Sequence, residues 1–110
     1  MFFGINCAAL PKPPRNLTFS DLSARSVKLK WTSASADPAE TFVVQHKKKH
    51  ASGDVPDEIP DIVGTEYIVA GLTPHTIYEL KVFTGNNIGR SLPSNVVDIT
   101  TEEAGNYCLI

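Results

Sequence analysis

Apolar and polar residues alternate in short runs along this chain, and the period is two. Leu17 and Phe19 alternate with polar neighbours over residues 16–20, and Val27, Leu29 and Trp31 alternate with Lys28 and Lys30. Apolar positions two apart with charges between them describe a half-buried antiparallel strand, one face on a core and one in water. The same period carries Phe42, Val44 and His46, then Tyr67 and Val69, then Tyr78, Leu80, Val82 and Thr84, and finally Val97, Ile99 and Thr101. Residues 59–63 allow one more short strand, in which Pro60 suits a sheet edge because it has no N–H to donate to a ladder. Clusters of Pro, Gly, Asn and Ser separate these runs, and no segment keeps a helical period. Seven short strands predict an all-β, antiparallel, immunoglobulin-like sandwich, with a closed barrel as the less favoured alternative.

Two local features sharpen that prediction. Trp31, the only tryptophan, closes the alternation of the second strand, so its indole is expected between the sheets. In Gly71-Leu72-Thr73-Pro74-His75-Thr76-Ile77-Tyr78, a Leu and a Pro precede a Tyr that opens a long strand. This is the sequence form of a tyrosine corner, in which the phenol hydroxyl bonds back to upstream backbone and pins a crossover between sheets. The expected core therefore centres on Trp31, Leu29, Leu72, Tyr78 and Val82. Asn86 to Ser91 reads as a loop, with Gly89 available for a positive φ.

The phrases "PKPPRNLTF", "SVKLKW", "GLTPHTIYELKV" and "NNIGRSLPS" together make residues 11–102 resemble a fibronectin type III domain. Within that family, "ALPKPP" and the loop after Tyr78 look most like the first such domain of LAR-type receptor tyrosine phosphatases. The resemblance implies one module of a cell-surface receptor whose catalytic domains lie elsewhere. It also implies a spacing and protein-binding role, with neighbouring domains of the same receptor or other proteins as partners. One departure is His46, where many members of the family carry a Tyr.

Composition agrees with a single small domain. The chain has 110 residues, 42% apolar and 20% charged, with a formal net charge of −2. That is enough apolar material for one core, and the charge lacks the basic excess of a nucleic-acid binder. No apolar run approaches the roughly 20 residues of a membrane helix, so no direct membrane insertion is expected. The apolar start Met1 to Leu10 has no positive leading region and is cut off by Pro11, Pro13 and Pro14, so it does not read as a secretory signal. Phe2 stands where myristoylation needs Gly, and Tyr107 stands where a prenylation box needs Cys. The domain is expected over residues 11–103, with flanks at 1–10 and 104–110. The chain reads as a fragment of a longer protein.

Catalytic chemistry is not legible. A tyrosine phosphatase loop needs an Arg six positions after its Cys; from Cys7 that position is Pro13, and Arg15 is two further on. Neither G-x-S-x-G, a P-loop nor H-E-x-x-H occurs. His46 and His50 are four apart, but on a strand that spacing separates them by roughly 13 Å, too far to chelate one metal. Asp54, Asp57, Glu58 and Asp61 lack the spacing and central Gly of a calcium loop and read as a solvated acidic loop. No cofactor follows from the sequence.

Three features carry binding or modification chemistry. Lys47-Lys48-Lys49-His50 is the densest charge cluster. On a strand it forms a ridge that would suit a sulfated glycan or an acidic partner. Its plainer reading, which the sequence favours, is a solvated strand end balanced by the acidic loop that follows. Asn16-Leu17-Thr18 is an N-glycosylation sequon whose Asn and Thr should face solvent if Leu17 faces the core. Cys7 and Cys108 are not expected to pair unless both tails fold back. Seven strands place the termini at opposite ends, roughly 20 Å or more apart, whereas a disulfide needs Cα atoms within about 7 Å.

Two functional classes survive. One is a non-catalytic extracellular module of an adhesion or signalling receptor, lying outside the plasma membrane. The other is an intracellular scaffold or muscle-type interaction module of the same fold. The sequon favours the first; two unpaired cysteines are compatible with the second.

Overall fold

The computed structural model describes residues 10–35, 40–50 and 55–104. Among these, seven strands run in chain order: β1 (Arg15–Ser20), β2 (Val27–Thr32), β3 (Thr41–Lys48), β4 (Asp57–Ile62), β5 (Glu66–Val69), β6 (Ile77–Gly85) and β7 (Val97–Thr100). They form a three-stranded sheet in the order β1-β2-β5 and a four-stranded sheet in the order β4-β3-β6-β7, with every pairing antiparallel. Cys7, Cys108 and Asp54 lie outside the described residues.

The period-two pattern translates into two packed inner faces. Leu17, Val27, Leu29, Trp31 and Val69 come from the three-stranded sheet and meet Phe42, Val44, Ile62, Tyr78, Leu80, Val82 and Ile99 from the four-stranded one. Val27, Leu29, Val44, Val69, Leu80 and Val82 are wholly buried. Trp31 spans the interior edge-on to Phe42, ring centroids 5.4 Å apart at 60°. That T-shaped arrangement sets the positive ring edge against the negative ring face.

The sequence-based strands differ from the observed ones in instructive places. β4 begins at Asp57, so Asp57 and Glu58 belong to a strand rather than a solvated acidic loop, and Val63 lies beyond its end, 84% exposed. Pairing with β3 requires this: Glu58 is the register partner of Gln45, and Asp57 of His46. Phe19 shares the inner face with its register partner Leu29, yet it is 43% exposed, whereas Leu17 on the same edge strand is buried. Gly89 does not adopt a positive φ; Gly64 and Gly71 do. A Cβ at Gly89 would stand 2.9 Å from Leu10 Cδ2, the far end of an exposed side chain that can turn away.

The crossover from β5 to β6 is held by hydrogen bonds as well as burial. Leu72 is 2% exposed, and its N–H donates to Arg25 O at 3.0 Å. The Thr73 N–H donates to the Tyr78 hydroxyl at 2.9 Å, the bond that defines a tyrosine corner. Thr101, just past β7 and almost fully buried, closes the same corner. Its hydroxyl accepts from Thr76 N–H at 2.9 Å and donates to Thr73 O at 2.7 Å.

Candidate functional site

The lysine cluster and the sequon both lie on the outside of the sandwich, so the sheet surfaces are where contacts with other molecules can form. The lysine cluster sits at the end of β3, where Lys47 and Lys48 are in the strand and Lys49 and His50 form the turn after it. Lys47 and Lys49 project from the outer face of the four-stranded sheet. Lys47 faces Glu79 of β6, with N–O at 4.0 Å, and Lys49 is hydrogen-bonded to Asp98 of β7. The Asp98 carboxylate raises the Lys49 pKa above its ordinary value. These cations are therefore paired with carboxylates on neighbouring strands of their own sheet. Lys48 points the other way. Together with His50, His75, Thr76 and Ile77 it lines a shallow cavity of about 350 Å³ at one end of the sandwich. On its rim, His75 Nδ1 lies 3.7 Å from the Glu103 carboxylate.

A second cluster on the same sheet face was invisible to sequence reasoning. Arg90, from the loop after β6, reaches across β6 and β3 to Glu58 on β4. Its two terminal nitrogens donate to the two carboxylate oxygens at 2.8 and 3.1 Å. Gln45 Nε2 donates to the same carboxylate at 3.0 Å. On the way, the guanidinium carbon lies 5.0 Å from the centroid of Phe83. Val43, the register partner of Phe83, is only 7% exposed although it faces away from the core. Arg90 thus pairs with Glu58 through both carboxylate oxygens while standing over the Phe83 ring, a combination a planar guanidinium suits better than an ammonium. These contacts hold the Glu58 pKa below its ordinary value, Arg90 being the largest cause, and they raise that of Arg90. Arg90 and Glu58 are 32 residues apart, and no local pattern joins them.

The outer face of the three-stranded sheet carries Arg15, Lys28 and Lys30, with Glu66 the nearby anion, 3.7 Å from Lys28. At its edge, β1 is bulged. Register partners jump from Arg15↔Thr32 to Thr18↔Lys30, so Asn16 and Leu17 together stand opposite Trp31. Asn16 takes up the extra residue in a left-handed conformation, φ 56°, which Asn tolerates better than most residues. Leu17 turns inward, while Asn16 and Thr18 are exposed.

His46 occupies the inner face of β3 near the sandwich end, edge-on to Tyr78 at 6.1 Å and beside its register partner Asp57. Burial pushes its pKa below 6.5, with the Asp57 carboxylate partly opposing. His50 is exposed in the following turn. Among the described residues, no group of three or more His, Cys, Asp or Glu side chains is arranged to hold a metal ion. No helix among them is long and apolar enough to cross a membrane.

Two antiparallel sheets in these strand orders, closed by a tyrosine corner, define an immunoglobulin-like sandwich of the fibronectin type III class. The profile of the fibronectin type III domain matches residues 12–100, and the chain belongs to that family. It is similar to receptor-type tyrosine-protein phosphatase F of Danio rerio, 36% identical over 99 residues. That match covers 90% of this chain and 5% of the relative. Tyrosine-protein phosphatase Lar of Drosophila melanogaster is 35% identical over the same length and shares. The chain thus spans only about a twentieth of the curated relatives it matches. Among solved structures, a fragment of titin superposes with a TM-score of 0.74 at 30% identity, covering 86% of this chain and 33% of that one. The FN5 domain of Drosophila Lar superposes with a TM-score of 0.72 at 18% identity, covering 86% and 99%. The family is one of non-catalytic domains.

Proposed function

We propose that this chain is an extracellular module of a cell-surface receptor of the tyrosine phosphatase type, serving as spacer and protein-interaction domain. The similarity to receptor-type phosphatases along nine-tenths of the chain carries this reading. Surface chemistry supports it. The outer face of the four-stranded sheet neutralises most of its own charge through Lys47–Glu79, Lys49–Asp98 and Arg90–Glu58, which suits a rigid spacer. Lys48 and His50 remain for contact with an acidic partner or a sulfated glycan. Retention on heparin near physiological salt, reduced more by Lys48→Ala than by Lys47→Ala, is the expected sign of that contact. Flow-through at low salt would rule it out.

Location is tested with an antibody raised against the 110-residue chain. Applied to intact cells that express the protein naturally, it should stain them without permeabilisation. Staining only after permeabilisation would replace this reading with an intracellular scaffold module of the same fold.

A further inference from the structure

Of the asparagines among the described residues, only Asn16 begins an N-x-Ser/Thr sequence, and it is exposed. The others do local structural work or lack the motif. Asn86 accepts from the N–H groups of Ile88 and Gly89, and Asn95 is tied to β1. The bulge separates the sequon's three residues by role. Leu17 is buried, whereas Asn16 and Thr18 are exposed on either side of it. Below Asn16 runs a shallow groove of about 570 Å³, lined in part by Pro13, Pro14, Pro93 and Asn95. The exposed Pro93 ring and the half-buried Pro13 ring offer apolar faces against which the C–H face of a sugar can rest.

We propose that Asn16 is N-glycosylated, and that its first sugar lies along this proline-lined groove at the free edge of β1. The proposal rests on the extracellular reading above, since the chain must enter the secretory route. In the transfer, the Asn16 amide nitrogen attacks C1 of the N-acetylglucosamine of a lipid-diphosphate-linked oligosaccharide. An N–C bond forms, the C1–O bond to phosphate breaks, the lipid diphosphate leaves with the electron pair, and the amide loses one proton.

The fold gives this step a long window. In the folded domain Leu17 is clamped, its N–H donating to Asn95 Oδ1 at 2.9 Å and its carbonyl accepting from Asn95 Nδ2 at 3.1 Å. Asn95 lies 78 residues downstream, so this clamp closes on the sequon only after most of the domain has been synthesised. Afterwards the glycan and the Asn95 clamp both blunt an edge strand that could otherwise pair with another chain.

The test expresses the full chain behind a secretory leader in a eukaryotic cell line. Protein from the lumen and the medium is treated with peptide-N-glycosidase in heavy-oxygen water and mapped by mass spectrometry. The expected result is heavy-oxygen-labelled aspartate at position 16. That label should vanish completely in Asn16→Gln and Thr18→Ala and survive in Thr18→Ser. Unlabelled asparagine at position 16 in lumenal or secreted chain would overturn the site. It would leave the extracellular reading intact, because intact-cell staining tests that independently.

Discussion

Tyr78 is held by two forces of different kind. Its ring is buried among the core residues, while its hydroxyl accepts the Thr73 N–H at 2.9 Å. Tyr78→Phe keeps the ring and deletes the acceptor, so it should lower stability by about 1–3 kcal/mol, the cost of leaving a backbone donor without its partner. A lower urea midpoint with an unchanged denaturant slope is the expected readout; an unchanged midpoint would remove the corner from the account. Trp31→Ala should cost about 3–5 kcal/mol, because it deletes the largest core side chain and its edge-on contact with Phe42. His46 adds a pH dependence. Its pKa is below 6.5 in the folded state because burial disfavours the charged form, so the unfolded chain binds the proton more tightly. The stability it contributes is fully present above pH 6.5 and is lost as pH falls through the lowered value. His46→Phe should flatten the stability profile over that window, and an identical profile in wild type and variant would count against the assignment.

Among the elements, β6 shows how far a strand can be read from its sequence. Its alternation of Tyr78, Leu80, Val82 and Thr84 was legible because every second side chain enters the core. What pairs with its far half was not. β7 pairs only with residues Ile77 to Leu80. Beyond that, two serines take over the ladder. Ser94 Oγ accepts from the Val82 N–H and Ser91 Oγ from the Thr84 N–H, while their own N–H groups donate to Val82 O and Thr84 O. In the sequence, Asn86 to Ser91 reads as a loop, and nothing in a serine's identity says that its hydroxyl replaces a strand. Ser94→Ala should cost about 1–3 kcal/mol by orphaning the buried Val82 amide, measurable as a lower unfolding midpoint and as faster hydrogen exchange at Val82. β4 was placed two residues late for a related reason. Its acidic start looks like a loop until Arg90, brought over from the loop after β6, stands against Glu58. Both side chains are partly exposed, so Glu58→Gln should cost at most about 1 kcal/mol and less in high salt. Because the Glu58 pKa is lowered, that contribution is present above pH 4.5 and fades as pH falls through the lowered value. A salt-independent loss would point to packing over Phe83 instead.

For the molecule as a whole, the two sheets close one core, and the candidate contacts all lie on its outside. The fold was readable because alternation and the corner are local signals. The surface was less so. The sequence favours the acidic loop as the balance for the lysines at 47–49, whereas the register of β3, β6 and β7 sets Glu79 beside Lys47 and Asp98 beside Lys49. Cross-strand charge pairing depends on register, and register is a property of the assembled sheet. The proposed spacer role requires that this stretch fold without a neighbour. The direct measurement is equilibrium urea unfolding of the 110-residue chain alone, followed both by Trp31 fluorescence and by far-ultraviolet circular dichroism. One cooperative transition with coincident midpoints is expected of a domain that folds alone; no cooperative transition, or two separated midpoints, would show that it does not.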